Sequence, residues 1–327
     1  MTPDASESTS SGMLGAPAGS TEQVDQAVQQ LLYEAFPIPK FSDMAYLRWL
    51  YFDNPLGPAF QVTRREGGRV LAHIGGHRQR YHRRGQELPA VETVNLAVAP
   101  DARGRGLMVD VNRACLQAAF DACGDGILVT APNVSSTHGY MKSLGCHLLG
   151  PLPVRVLPPL WPARASVQSV AVNPDYLASR AFDDVFASLD YSPAEGFSQR
   201  WSADQLRFRL ANPHARYAVH IGQRVVLIST SERRAGVPVC VILKSFVRGA
   251  SAVLSGNAVA AAACRFYRAP AAIYAGYSDL VRFAGVRLPE RLKPSPLNLC
   301  VRSFRPGAID ETKFVMQRFE LLDLDAF

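Results

Sequence analysis

The sequence predicts an α/β fold of mixed α+β type, built as two similar domains. Three observations predict it. The chain has 327 residues, about two domains at roughly 150 residues each. Hydrophobic residues make up 48% of it, enough for packed cores and too many for a disordered chain. A short pattern also recurs at domain length. Leu47-Arg48-Trp49 ahead of Asn54-Pro55 returns as Leu206-Arg207-Phe208 ahead of Asn212-Pro213, and Gly68-Arg69-Val70 returns as Gln223-Arg224-Val225. The offsets run from 223 − 68 = 155 to 206 − 47 = 159, which reads as duplication rather than a solenoid.

Residues 1–22, rich in Ser, Thr, Gly, Ala and Pro, read as a disordered tail and lack the basic and apolar regions of a secretory signal. A first domain over 23–155 follows. It opens with an amphipathic helix, Val24 to Ala35, and strands over 59–65 and 69–76 that flank the Gly67-Gly68 turn. A third strand is expected after the Arg83-Arg84-Gly85 turn, and then a strand over 91–98 with strict alternation. That alternation puts Glu92, Val94, Leu96 and Val98 on one face. The helix from Leu107 to about Ala122 has Met108, Val111, Cys115 and Ala119 at helical spacing. A buried strand over 127–131 and a helix opened by Pro132-Asn133 and ended near Gly145 complete the domain. Residues 156–170 read as a Pro-rich linker, and 171–327 as the second domain, incomplete because no Arg-x-x-Gly loop lies between Phe246 and Ile273.

The 35 Lys+Arg exceed the 28 Asp+Glu by seven. That surplus favours anionic ligands such as phosphates and is too small to indicate nucleic acid. The six cysteines are scattered, form no C-x-x-C pair, and have no His at metal-ligand spacing. No apolar run reaches the roughly 20 residues of a membrane span. The expectation is a cytoplasmic, metal-free protein with reduced thiols.

The strongest local signal is the turn Arg103-Gly104-Arg105-Gly106-Leu107-Met108 between strand and helix. Two alternating glycines there let successive amides point into one concavity, and the helix dipole adds to the field, so the turn suits a phosphate or pyrophosphate. It is neither a P-loop nor a dinucleotide fingerprint, and an ordinary surface turn is the competing reading. Asn133 and Ser136, after Pro132, suit a helix cap or a ligand contact.

Together, Leu96-Ala97-Val98-Ala99-Pro100, Arg103-Gly104-Arg105-Gly106, Asn133 and Leu144-Gly145 resemble the GNAT superfamily of acyl-CoA-dependent N-acyltransferases. The chain departs from that pattern at Met108, where Gly or Ala is usual, and at Cys146, where Phe is usual. Tyr140 lies five residues before Gly145, where four is common.

The resemblance implies tandem GNAT-like domains, each a twisted mixed sheet flanked by helices, with the second copy degenerate. It implies acetyl-CoA or another acyl-CoA as co-substrate, held along Leu96 and Val98. The amides of Arg103, Gly104, Arg105, Gly106, Leu107 and Met108 would hold the pyrophosphate, and Asn133 and Ser136 would lie at the pantetheine arm. A small-molecule primary amine would attack the thioester directly. Glu92 is the first candidate base, with His73 and His138 next, and Tyr140 is the candidate acid. For each, a structural role is the alternative. The cluster Arg78, Arg80, His82, Arg83 and Arg84 reads either as a solvated sheet edge or as a phosphate grip.

The Trp49-Leu50-Tyr51 entry, Pro296-Leu297-Asn298-Leu299 and the closing Leu322-Asp323-Leu324-Asp325-Ala326-Phe327 resemble sugar-nucleotide N-acyltransferases, whose acceptor is an amino sugar on a nucleotide. Mycothiol-synthase-like enzymes, FemX-like aminoacyl or peptidyl transferases and a non-catalytic CoA-binding scaffold remain alternatives.

Overall fold

The computed structural model describes residues 24–160, 166–190, 195–249, 253–293 and 297–324. The expected tail and the Pro296 and Asp325–Phe327 parts of the quoted motifs lie outside them. Helix α1 (Gln26–Ala35) is capped by Asp25, whose carboxylate accepts from Ala27 N, and buries Val28, Leu31 and Leu32. After α2 (Met44–Phe52) come β1 (Phe60–Glu66), β2 (Arg69–Arg83) and β3 (Gln86–Val98), all antiparallel. The third and fourth strands expected from the sequence are one strand, β3, continuous through Pro89. Helix α3 (Leu107–Cys123) crosses over to β4 (Ile127–Thr130), which lies parallel to β3. Then follow α4 (Val134–Leu144), β5 (His147–Pro151) and β6 (Val154–Leu157).

The second part repeats this order. After β7 (Gln168–Ala171), α5 (Pro174–Leu177), α6 (Arg180–Ala187), β8 (Phe197–Gln199) and α7 (Ala203–Leu210), the strands β9 (Tyr217–Ile221), β10 (Val225–Arg234) and β11 (Val237–Val247) are antiparallel. After β12 (Leu254–Ser255), α8 (Asn257–Phe266) crosses over to β13 (Ala272–Tyr277), parallel to β11. The chain closes with β14 (Val281–Arg282), β15 (Val286–Arg287), β16 (Asn298–Ser303) and β17 (Met316–Glu320).

The recurring sequence pattern builds recurring local structure. Asn54 Oδ1 accepts from Leu56 N at 3.0 Å after α2, and Asn212 Oδ1 accepts from His214 N at 2.9 Å after α7. These are two copies of one Asx turn. Trp49 and Phe208, at matching positions of α2 and α7, stack with centroids 5.0 Å apart, and Trp49 Nε1 donates to Phe208 O at 2.9 Å.

One sheet runs through both parts, in the order β5-β16-β4-β3-β2-β8-β17-β13-β11-β10-β9-β7. Two of its strands are exchanged. β16, late in the chain, lies between β4 and β5, and β6, from the first part, pairs with β13 in the second. The interval expected as a linker therefore begins in β6 and ends in β7. The Arg78–Arg84 cluster is not a free edge but part of this seam. β8 pairs with Tyr81 and His82, Arg84 is ion-paired with Glu195, and His82 Nε2 lies 2.8 Å from Ser198 Oγ.

Candidate active site

β3 and β4 diverge. They pair only from Ala90, Val91 and Glu92 to Ile127, Leu128 and Val129, yet β3 continues to Val98. The result is a wedge with one open strand edge, whose backbone groups are free to pair with an extended ligand. At its apex Thr93 Oγ1 donates to Thr130 Oγ1 at 3.2 Å and lies 3.1 Å from the Tyr140 hydroxyl.

A bulge bends β3 at the wedge. Two residues, Asn95 and Leu96, oppose the single Ile74 of β2. Asn95 sits at φ +55°, a left-handed conformation that Asn tolerates better than most residues. Its Nδ2 donates to the Tyr51 hydroxyl at 3.0 Å, which lies 3.1 Å from His73 Nε2, while His73 Nδ1 lies 3.0 Å from Thr63 Oγ1. This chain of contacts pins the bulge. Burial lowers the His73 pKa to about 3, so the ring is neutral at ordinary pH and too weak a base to serve as one. The bulge also corrects the alternation expected from the sequence. Ahead of it, Glu92 and Val94 face away from α3. Beyond it, Leu96 packs with Met108 and Tyr140 on the α3–α4 side, while Ala97 takes the other face. Glu92 and Leu96 therefore do not share a face.

The turn into α3 could hold an anion. Gly104 and Gly106 adopt φ +79° and +78°, which any side chain would strain. Gly106 is the N-cap of α3 and supplies no side-chain cap bond. The amides of Gly104 through Met108 donate to nothing among the described residues, which leaves five N–H groups at the positive end of a 17-residue helix. These unpartnered donors fit a pyrophosphate. Arg103 is exposed beside them. Arg105 is held by Glu66 at 3.2 and 3.3 Å, a surface pair weak enough to exchange for a phosphate.

Helix α4 forms the other wall. Asn133 is its N-cap, with Oδ1 accepting from both Ser136 N and Ser136 Oγ at 2.9 Å, so Asn133 and Ser136 bind each other as the cap. Met108 closes on the helix at Gly139, where a Cβ would stand 2.6 Å from Met108 Cε. The side chain that departs from the family pattern thus fills the α3–α4 contact. Tyr140 is buried, and burial pushes its hydroxyl up to about 12, so it keeps its proton at neutral pH. His138 faces solvent on the exposed side of α4.

Glu92 is 5% exposed at the last rung before the wedge. It faces a cleft between the two parts of the chain, lined by His77 and Gln79 from β2 and by Gln199, Trp201 and Arg209 from the second part. Gln79 Nε2 donates to Glu92 Oε2 at 2.9 Å. The structure thus brings Tyr140, Thr93 and Thr130 together on one face of β3 and places Glu92 on the other.

Residues 25–146 match the acetyltransferase (GNAT) family. This part of the chain is similar to a GNAT domain. Solved structures agree on the fold. A GCN5-related N-acetyltransferase from Anabaena variabilis is 13% identical, with 86% of this chain and 70% of that one covered and a TM-score of 0.57. One from Kribbella flavida is 14% identical, with 85% and 68% covered and a TM-score of 0.56. No curated protein matches the sequence. In this region the candidate donor turn was visible in the sequence through its glycines. Thr93, Thr130, Tyr51 and Gln79 were not, because their roles come from pairing across strands. Asn95 carried a signal, as a lone amide in an otherwise apolar and β-branched stretch.

Proposed function

We propose that the protein is an acyl-CoA-dependent N-acyltransferase acting on a primary amine. The observation that carries this reading is the open wedge of β3 and β4 ending at five unpartnered amides on the α3 N-terminus. The amides of Gly104 to Met108 hold the donor's pyrophosphate, with Arg103 and a released Arg105 beside them. The open edge of β3 around Leu96 and Val98 pairs with the pantetheine arm, and the Asn133–Ser136 cap lies at its side. Glu92, on the opposite face at the apex, receives a proton from the amine through water. The amine nitrogen bonds to the thioester carbon, and the C–S bond breaks. The thiolate takes the Tyr140 proton, which burial keeps in place below about pH 12. Acetyl-CoA and longer acyl donors share the arm that this groove contacts.

The second half serves as a degenerate copy. Its β11 and β13 also pair over only three rungs, but β17 pairs with Gly276 and Tyr277 of β13 where the first half is open. The second wedge is therefore occupied by the chain itself.

The test is release of free thiol from acetyl-CoA with a panel of primary amines that includes an amino-sugar nucleotide. Thiol release that depends on an added amine is expected. Donor binding without turnover across the panel would favour the scaffold reading, and failure to bind CoA would remove the donor site.

A further inference from the structure

The groups behind Glu92 form a continuous chain into the second half of the protein. Gln79 Nε2 donates to Glu92 Oε2 at 2.9 Å and to the main-chain oxygen of Asp323 at 3.0 Å. Two acceptors on one nitrogen fix which end of the amide points inward. Asp323 is fully buried and held in turn, with its carboxylate accepting from Lys244 Nζ at 2.9 and 2.6 Å, Trp201 Nε1 at 3.0 Å and Glu320 N at 2.7 Å. Lys244 lies on β11 and Asp323 just beyond β17.

We propose that Gln79, seated on Asp323, is a positioning residue through which the second half of the chain orients Glu92. This rests on Glu92 being the base. Gln79 fixes one carboxylate oxygen of Glu92 at the cleft. Its N–H favours the charged carboxylate, so the residue sets both the direction and the protonation of the base. Other titratable and charged groups lie around the same carboxylate. His77 opposes Glu92 on β2 and Arg78 follows it, Tyr81 lies further along β2, Arg209 comes from α7, and Asp323 adds a negative charge. None of them is altered by a substitution at Gln79, so a shift on that substitution belongs to Gln79.

The experiment follows Glu92 directly, by 13C NMR titration of δ-labelled glutamate, with Glu92→Gln used to assign its signal. It needs neither donor nor turnover, and CoA binding is measured separately, so failure of the acyltransferase reading is seen as a distinct result. Gln79→Met is expected to raise the Glu92 midpoint by about one pH unit, and Gln79→Glu by more, through like charge. Trp201→Phe, which loosens Asp323, is expected to move it upward by less. In an active enzyme the acid limb of the kcat/KM profile should move in step, with the CoA Kd within about twofold of the parent. Midpoints unchanged in both Gln79 variants would overturn the proposal. Movement with Gln79→Met but none with Trp201→Phe would overturn the part assigned to the second half.

Discussion

At the scale of single residues, Asn95 decides how the site is read. Strict alternation along 91–98 put Glu92 and Leu96 on one face, and one left-handed residue separates them. The sequence held an Asn there, but a bulge is a property of two strands, and the opposing Ile74 carries no mark of it. Tyr140 gives a direct prediction. Tyr140→Phe should lower kcat by about 100-fold while leaving CoA affinity unchanged, as steady-state kinetics and calorimetry would read it. Two of the buried histidines, His73 and His220, give another. Burial lowers His73 to about 3 and His220 to about 4, below the value of 6.5 expected when unfolded. The unfolded chain therefore takes up protons first as pH falls, and stability is lost from about pH 6.5 downward. By pH 5 each should cost about 2 kcal/mol, measurable by denaturant unfolding at pH 7 and pH 5.

At the scale of elements, the proposed donor turn was legible because its chemistry is local. Glycines at 104 and 106 state their own backbone conformation. The Leu-Arg-aromatic and Asn-Pro repeat was legible for the same reason, since each copy folds as a helix followed by an Asx turn. What the repeat did not reveal is that its aromatic positions meet. Trp49 and Phe208 stack across the seam, and Trp49→Ala should destabilise the protein by about 3–5 kcal/mol in chemical denaturation. β17 gives a further expectation at this scale. Because it occupies the second wedge, the protein should bind one CoA per chain, and a stoichiometry of two would show that the second half also accepts donor.

At the scale of the whole molecule, the exchange of β6 and β16 was invisible in the sequence. Pairings between residues such as Val301 and Val129 leave no local pattern. The exchange explains how one half can act on the other. β16 closes β4 in the first half, and the segment after β17 carries the support of Gln79. Residues 1–155 expressed alone would leave β4 and β5 without the strand between them. Such a fragment should lack the cooperative thermal transition of the full chain, measured by circular dichroism. Cooperative melting of the isolated fragment would show that the halves fold independently.

The proposed donor site is the turn from Gly104 to Met108. Calorimetric titration of CoA into the full chain and into Gly106→Trp tests it most directly. One site per chain in the parent, with binding abolished in the variant while its melting temperature is largely kept, is the expected result. Equal affinity in the two proteins, or no heat of binding in the parent, would contradict it.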